Sequence, residues 1–186
     1  VLGPGKLIGL ASRGGEYINR GVIYTFDTST KTVKHLIEFN TSFGGKNANG
    51  FLTPAANGLL YGTTVEGGKE RAGVLYSINP KTFEKKVLHH FIYTGGKGMN
   101  PRTKLVQAAD GKLWGVTARG GSYSDGTIFS YDTAKNTINW EYEFAGGSNG
   151  TVPTGNLIID SKGLMYGTTF QGGANNTGIL YSFNPS

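Results

Sequence analysis

The sequence contains no cysteine, which excludes disulfide bonds, thiolate metal sites and a cysteine nucleophile. It also has no apolar run approaching the roughly 18 residues that a membrane-spanning helix needs, so we expect no membrane insertion. Acidic residues number 12 against 18 lysines and arginines, which gives a formal net charge of +6. The basic residues are spread through predicted turns, so the excess indicates a solvated surface and predicts no nucleic-acid partner.

Glycine, by contrast, is abundant, with 31 of 186 residues, whereas an average protein has roughly 7%. The glycines are not scattered, because a Gly-Gly pair closes a cassette that recurs four times. The pairs begin at Gly14, Gly67, Gly120 and Gly172, so the spacing is 52 to 53 residues. A period of this length indicates that one supersecondary unit has been copied and that neighbouring copies share a core.

Each copy carries the signals of a small antiparallel sheet. After Gly-Gly, a short polar loop leads to an alternating strand, as at 73–78 and 126–131, and a turn rich in Asp, Asn, Pro and Thr follows. The next strand closes on Phe39, Phe91 or Phe144. A glycine-rich loop then precedes a further strand, predicted at 105–108 and 157–160, before a tight turn restarts the cassette.

Four antiparallel strands per roughly 50 residues are typical of a β-propeller blade. No sustained 3.6-residue periodicity appears, which excludes a parallel sheet covered by helices. A β-solenoid is the structural alternative, but its repeats are shorter. We therefore predict an all-β propeller of about four four-stranded blades in one module, with units at approximately 1–50, 51–103, 104–155 and 156–186.

The cassette also resembles a known family. Residues 61–80 read Tyr-Gly-Thr-Thr, two residues, Gly-Gly, a gap and Gly-x-Leu-Tyr-Ser-x-Asn-Pro, which resembles the GloVer-type extracellular tandem repeat of bacteria. Residues 166–185 follow the same pattern, while the first copy departs from it at Ile8, Leu10 and Ala11. The third copy is also similar to a kelch repeat. The resemblance implies a propeller and a secreted or cell-surface location, and it carries no catalytic residue onto this chain.

The first and last units are incomplete. The first lacks nearly all of its leading strand, the last stops before its fourth strand, and the chain starts at Val1 without a methionine. We expect either a portion of a longer array or a half-ring that closes by assembling with another copy. Exposed strand edges at both ends would otherwise invite association.

Function is expected where the copies differ, because positions shared by all of them are explained by the blade itself. In an up-and-down blade, the loop between the second and third strands lies at the same end as the connection to the next blade. That end, which we call the loop face, carries the variable segments 16–20, 69–71, 122–125 and 174–176, together with 43–47, 93–97 and 145–149. Variable loops on a rigid scaffold favour a binding surface.

A long polar side chain stands just before each Gly-Gly pair on the loop face. These side chains form a candidate ligand-binding ring of Arg13, Glu66, Arg119 and Gln171, and Tyr17 and Tyr123 occupy matching places in the loops beyond. Hydrogen-bonding groups beside aromatic faces are suited to hold a sugar or an acidic peptide. The alternative is that all six are ordinary solvated loop residues.

No conventional catalytic constellation is present. His35, His89 and His90 fall in the predicted outermost strands, and the two adjacent histidines point to opposite faces. We therefore predict no catalytic residue, no metal site and no cofactor. The sequence favours a binding module for protein or carbohydrate. Two alternatives stay open: the substrate-binding wall of a larger secreted enzyme, and a purely structural or engineered propeller.

Overall fold

A computed structural model describes residues 3–15, 20–39, 44–49, 51–93 and 97–185 of the chain. Within these ranges the chain forms four antiparallel sheets in sequence order and no α-helix. No helix there is long and apolar enough to span a membrane. The predicted propeller of antiparallel blades is confirmed, and the four blades do not close into a ring.

The strands of each blade are as follows. The first blade contains β1 (Lys6–Ala11), β2 (Val22–Asp27) and β3 (Thr32–Glu38). The second contains β4 (Lys46–Ala48), β5 (Thr53–Pro54), β6 (Leu60–Glu66), β7 (Val74–Ile78) and β8 (Lys85–His90). The third contains β9 (Gly98–Pro101), β10 (Val106–Gln107), β11 (Leu113–Gly120), β12 (Thr127–Asp132) and β13 (Thr137–Glu143). A 3-10 turn (Gly147–Asn149) leads to the fourth, which contains β14 (Thr151–Pro153), β15 (Ile158–Ile159), β16 (Met165–Gln171) and β17 (Leu180–Phe183).

One central strand organises each of the complete blades. In the second blade, β6 pairs with β7 on one edge and with both β4 and β5 on the other, while β8 pairs with β7 at the outside. The third blade repeats this order around β11. Within the described ranges, the first blade has no inner strand and the fourth has no strand outside β17. The predicted outermost position of the histidine-bearing strands, β3 and β8, is confirmed.

The inner strand begins earlier than the sequence predicts. β4 starts inside the segment 43–47 that we expected to be a loop, and β9 and β14 precede the strands predicted at 105–108 and 157–160. Those predicted strands are present but short, as β10 and β15. Each inner strand is thus two segments that pair with opposite ends of one neighbour. Segments of two to four residues carry too little alternation to be recognised as strands.

A glycine opposite an aromatic ring sets the packing inside every blade. Gly62 of β6 pairs directly with Tyr76 of β7, and a β-carbon added to Gly62 would overlap the tyrosine ring. The corresponding pairs are Gly9 with Tyr24, Gly115 with Phe129, and Gly167 with Tyr181. The glycine of the Tyr-Gly-Thr-Thr cassette is therefore required because the ring lies across its backbone.

Neighbouring blades pack face to face through three apolar cores. In the core between the first two blades, Ile23 and Phe39 meet Val74, Tyr76 and Ile78. The second core joins Tyr61, Leu75 and Phe91 to Leu113, Phe129 and Tyr131. The third joins Trp114, Val116, Ile128 and Phe144 to Leu157 and Met165. These side chains are buried between neighbouring blades and not within one sheet, so the stability of each blade depends on its neighbours.

Backbone hydrogen bonds also join the blades at the loop face. In three blades, one residue inside the first inner segment has a left-handed φ of 54° and donates its N–H to the preceding blade; these residues are Asn47, Asn100 and Val152. The bonds run from Asn47 to the carbonyl of Arg20 (3.1 Å), from Asn100 to Ala72 (2.8 Å) and from Val152 to Asp125 (3.0 Å). Asparagine tolerates this conformation, whereas a β-branched valine is strained in it.

We expect Val152→Asn to stabilise the protein. The substitution installs the residue that the second and third blades use, and it relieves left-handed strain worth about 1 kcal/mol. The free energy of unfolding, measured by urea titration, should rise by about that amount. Val152→Thr keeps the β-branch and serves as the control, for which no gain is expected. A Val152→Asn variant that is no more stable than the wild type would contradict this explanation.

His89 lies on β8 beside the contact between the second and third blades. Its ring centroid is 5.2 Å from that of Phe91 and 6.2 Å from that of Trp140. Its Nε2 has no hydrogen-bond partner among the described residues. Burial, with smaller contributions from Lys97 and His90, lowers the pKa of His89 to about 4. The imidazole is therefore neutral at pH 7.

Acid is expected to weaken the packing around His89. The unfolded chain protonates His89 near pH 6.5, whereas the folded chain protonates it only near pH 4. Because only the unfolded chain gains a proton between these values, the free energy of unfolding is unaffected by His89 titration above pH 6.5 and decreases as the pH falls from 6.5 to about 4. His89→Ile introduces the isoleucine found at the equivalent position 37 of the first blade. Urea titrations across this pH range should show a steeper loss of stability for the wild type. Parallel pH profiles for the two proteins would rule the effect out.

Candidate functional site

In the third and fourth blades, the two kinds of variable loop meet at one end of the blade. The loop after the second strand meets the connection that leads into the same blade, since Gly121 donates its N–H to the Lys97 carbonyl (3.2 Å) and Gly173 donates to Gly147 (2.8 Å). In the second blade, the Lys69 N–H donates to His90 Nδ1 at 3.2 Å. The bonds of Gly121 and Gly173 tie the two kinds of variable loop together at one end of the blade, and the bond of Lys69 ties its loop to the end of the outer strand β8.

A threonine hydroxyl fixes the backbone on which the candidate ring stands. Thr64 Oγ1 donates to the Glu66 carbonyl at 2.9 Å and accepts the Val74 N–H at 3.1 Å. Thr117 makes the same pair of bonds with Arg119 and Thr127, and Thr169 makes it with Gln171 and Ile179. The second threonine of the cassette therefore holds the ring residue in the same backbone position in three blades. Ala11 occupies the equivalent position before Arg13 in the first blade.

Glu66 is the most strongly organised member of the ring. Its carboxylate forms an ion pair with Lys46 Nζ at 2.7 Å and accepts a hydrogen bond from Asn47 Nδ2 at 2.9 Å. The hydrogen bond from Lys46 lowers the pKa of Glu66 most; Lys46 charge, Asn47 and Arg102 lower it further, against an opposing effect of burial. Glu66, at the end of the central strand β6, is therefore an ionised acceptor at neutral pH, and it is held against the inner segment β4 of its own blade.

Arg13 and Glu66 line one polar cavity that crosses three blades. Its volume is about 350 Å³, and Arg102, which follows β9 of the third blade, also lines it. Ser12, Asn47, Ala48, Asn49 and Val65 complete the lining. Asn49 is fixed there, because its Nδ2 donates to the Pro101 carbonyl at 2.9 Å and to Thr63 Oγ1 at 3.2 Å.

A second cavity of about 250 Å³ adjoins the first at Glu66, and Lys46, Gly67 and Arg71 line the rest of it. The linings of the two cavities contain one carboxylate, that of Glu66, and four cationic side chains, those of Arg13, Lys46, Arg71 and Arg102. Arg13 and Arg102 are exposed, and neither belongs to an ion pair within the described residues. Their guanidinium groups are available to a carboxylate, which arginine binds through paired hydrogen bonds.

The structure brings some of the candidate residues together and leaves others apart. Arg119 and Gln171 occupy the ring position of the third and fourth blades, where both side chains are exposed. Tyr123 lies in the third-blade loop with 63% of its surface exposed. Tyr17 lies outside the described residues.

Sequence reasoning missed Arg102, Lys46 and Arg71 as site residues. Arg102 aligns with Asn49 and Thr154 in the neighbouring copies, so it varies among them as the ring residues do. This variation among the copies points to Arg102, but the sequence predicts the inner strand only from residue 105, which leaves residue 102 in an unassigned loop. No group of three or more His, Cys, Asp or Glu residues able to hold a metal ion occurs within the described ranges.

Comparison with known proteins agrees with the fold. A family model described as the Gloeobacter/Verrucomicrobia repeat matches residues 3–186. The comparison with curated proteins finds no match. Among solved structures, the chain is similar to TolB from Acinetobacter baumannii, with 19% identity, a TM-score of 0.53, and coverage of 98% of this chain and 41% of that chain.

Two further solved structures show the same likeness. One is a chain of a nidogen/laminin complex, with 14% identity, a TM-score of 0.59, and coverage of 98% of this chain and 62% of that chain. The other is a structural genomics protein of unknown function from Bacteroides thetaiotaomicron VPI-5482, with 16% identity, a TM-score of 0.54, and coverage of 88% and 39%. At these identities the likeness shows the fold alone, and this chain spans between 39% and 62% of the three chains.

Proposed function

Since the chain belongs to the Gloeobacter/Verrucomicrobia repeat family, whose model matches residues 3–186, we propose that it is a non-catalytic binding module. Its ligand is an acidic segment of another protein, bound at the loop face through the two cavities that share Glu66. The family resemblance supports a secreted or surface-displayed location. The observation that carries the proposal is the excess of cationic side chains around this one carboxylate.

Arginine side chains on both sides of the larger cavity support a carboxylate as the anchoring group. Arg13 comes from the first blade and Arg102 from the third, so a ligand that engages both lies across the second blade. Charge-assisted hydrogen bonds of this kind contribute about 1.5–3 kcal/mol each. Lys46 and Asn47 hold the Glu66 carboxylate in place, and its remaining lone pairs accept a backbone or side-chain N–H beside the ligand's carboxylate.

The composition of the cavities favours an acidic peptide over a neutral sugar. Sugar sites commonly combine hydrogen-bonding groups with an aromatic face, and the described lining of the two cavities contains no aromatic residue. Tyr123 offers an exposed ring farther along the loop face. In our proposal Arg119, Gln171 and Tyr123 extend the contact surface beyond the anchoring cavities, and Tyr17 belongs to the same set by its position in the repeat.

Binding of a fluorescently labelled hexaglutamate peptide, followed by anisotropy at low salt, tests the proposal. We expect Arg13→Gln and Arg102→Gln each to weaken binding about tenfold, equivalent to about 1.4 kcal/mol. Added salt should weaken wild-type binding, because the contacts are exposed and electrostatic. Lys135→Gln is the matched control, since the Lys135 side chain is 78% exposed in the turn opposite the loop face, and it should bind like the wild type.

The competitors separate the remaining possibilities. A hexaglutamine peptide and a neutral oligosaccharide should not displace the probe. Displacement by the oligosaccharide would replace the acidic peptide with a carbohydrate ligand. Absence of probe binding to the wild type, or binding by both arginine variants that is as tight as that of the wild type, would refute the proposed site and leave an architectural role for the propeller.

A further inference from the structure

The first blade presents an apolar groove on the side away from the second blade. Leu7, Val22, Tyr24 and Phe26 line it, together with Val33 and His35, around a volume of about 670 Å³. We call this surface the leading face. Strand pairing makes it continuous, because Leu7 lies opposite Phe26 and Val33 lies opposite Phe26 on the other edge. Leu7 is 43% exposed and Val33 is 56% exposed.

The fourth blade presents a second apolar surface on the side away from the third blade. Ile158, Phe170 and Leu180 are 64%, 66% and 73% exposed, and we call them, with Tyr166 and Thr168, the trailing face. Ile158 lies directly opposite Tyr166, and Leu180 lies opposite Thr168. Alternation along β16 places residues 166, 168 and 170 on one side of the sheet. Exposed apolar surface of this continuity usually marks an interaction site.

The two faces are the separate halves of an interface that the chain already builds three times. Leu180 is equivalent to Ile23, Leu75 and Ile128, which are 0%, 0% and 1% exposed between blades. Tyr24 and Phe26 are equivalent to Tyr76 and Ile78, both 0% exposed against the first blade. The trailing face thus has the residues that contact a following blade, and the leading face has those that contact a preceding one.

We propose that the trailing face docks on the leading face of a second copy of this chain, so that two copies form a closed ring of eight blades. Leu180 of one copy then packs on the Leu7 side of the other, as Ile23 packs near Leu60 between the first two blades. Head-to-tail contacts close into rings when the rotation permits, and eight blades lie within the usual range for propellers.

The charged and polar side chains at the edges of the two faces agree with this arrangement. No Asp, Glu or Lys lines the leading groove, and none is among the five residues of the trailing face. Charges beside the two faces include the guanidinium of Arg13, which is exposed at the border of the leading groove, and the carboxylate of Asp160, which accepts a hydrogen bond from Tyr166. Arg13 borders the leading groove at the loop face, and Gln171 ends the strand that carries the trailing face. Docking therefore places Gln171 of one copy next to Arg13 of the other. Arg13 and Glu66, which hold the same positions in the first and second blades, already line one cavity in this way.

Sedimentation velocity of the 186-residue chain at about 10 µM tests the proposal. We expect a particle of two chains, twice 19.8 kDa. Leu7→Glu blocks the leading face and Leu180→Glu blocks the trailing face, and each variant alone should sediment as a monomer while keeping the far-UV circular dichroism of the wild type. Tyr123→Glu changes a side chain on the loop face whose exposure, 63%, lies between those of Leu7 and Leu180, and it should leave the dimer intact.

Mixing the two blocked variants identifies the mode of contact. The Leu7→Glu copy keeps an intact trailing face and the Leu180→Glu copy keeps an intact leading face, so the mixture should form a heterodimer through one interface. A monomeric wild type would overturn the proposal and indicate that further blades of one polypeptide cover these faces. Open-ended oligomers, or a mixture that stays monomeric, would overturn the closed head-to-tail ring.

Discussion

The close approach of an aromatic ring to a glycine backbone is the constraint on which the remaining structure depends. In each blade the ring from the third strand lies across the glycine of the second, where a β-carbon would overlap it. The aromatic ring is required here and the tyrosine hydroxyl is not, because phenylalanine (Phe129) occupies this position in the third blade, where Tyr76 and Tyr181 occupy it in the second and fourth. The hydroxyls of Tyr76 and Tyr181 have no hydrogen-bond partner among the described residues, and burial raises the pKa of both phenols.

This constraint connects the repeat to the loop face. A ring that covers the glycine of its own sheet also presents apolar surface to the preceding blade, so the same residue packs both within the sheet and in the core between blades. The blades then meet closely enough for the inner segment of one to donate an N–H to a loop carbonyl of the other. Arg13, Glu66 and Arg102 come from three different blades and share a cavity because these contacts set the distance between blades.

The sequence was sufficient to predict the strands of the blade and insufficient to predict which residues line the candidate cavities. Period, turn residues and alternation predicted the sheets, and Phe39, Phe91 and Phe144 are buried where the outer strands end. The two-part inner strand was missed because β4, β5, β10, β14 and β15 are two or three residues long and depend on pairing with a neighbour. Arg102 was missed for a related reason. Aligned repeats show which residues are equivalent, whereas a cavity depends on which residues of successive blades are adjacent.

A double-mutant cycle on Gly62 and Tyr76 tests the central constraint most directly. Gly62→Ala in the wild type should lower the free energy of unfolding by about 2–3 kcal/mol, because the added methyl group must displace a buried ring. In a Tyr76→Ala background the same change should alter it by less than about 0.5 kcal/mol, since the ring is gone. An equal loss in both backgrounds would contradict the account, because it would assign the glycine a role independent of the ring.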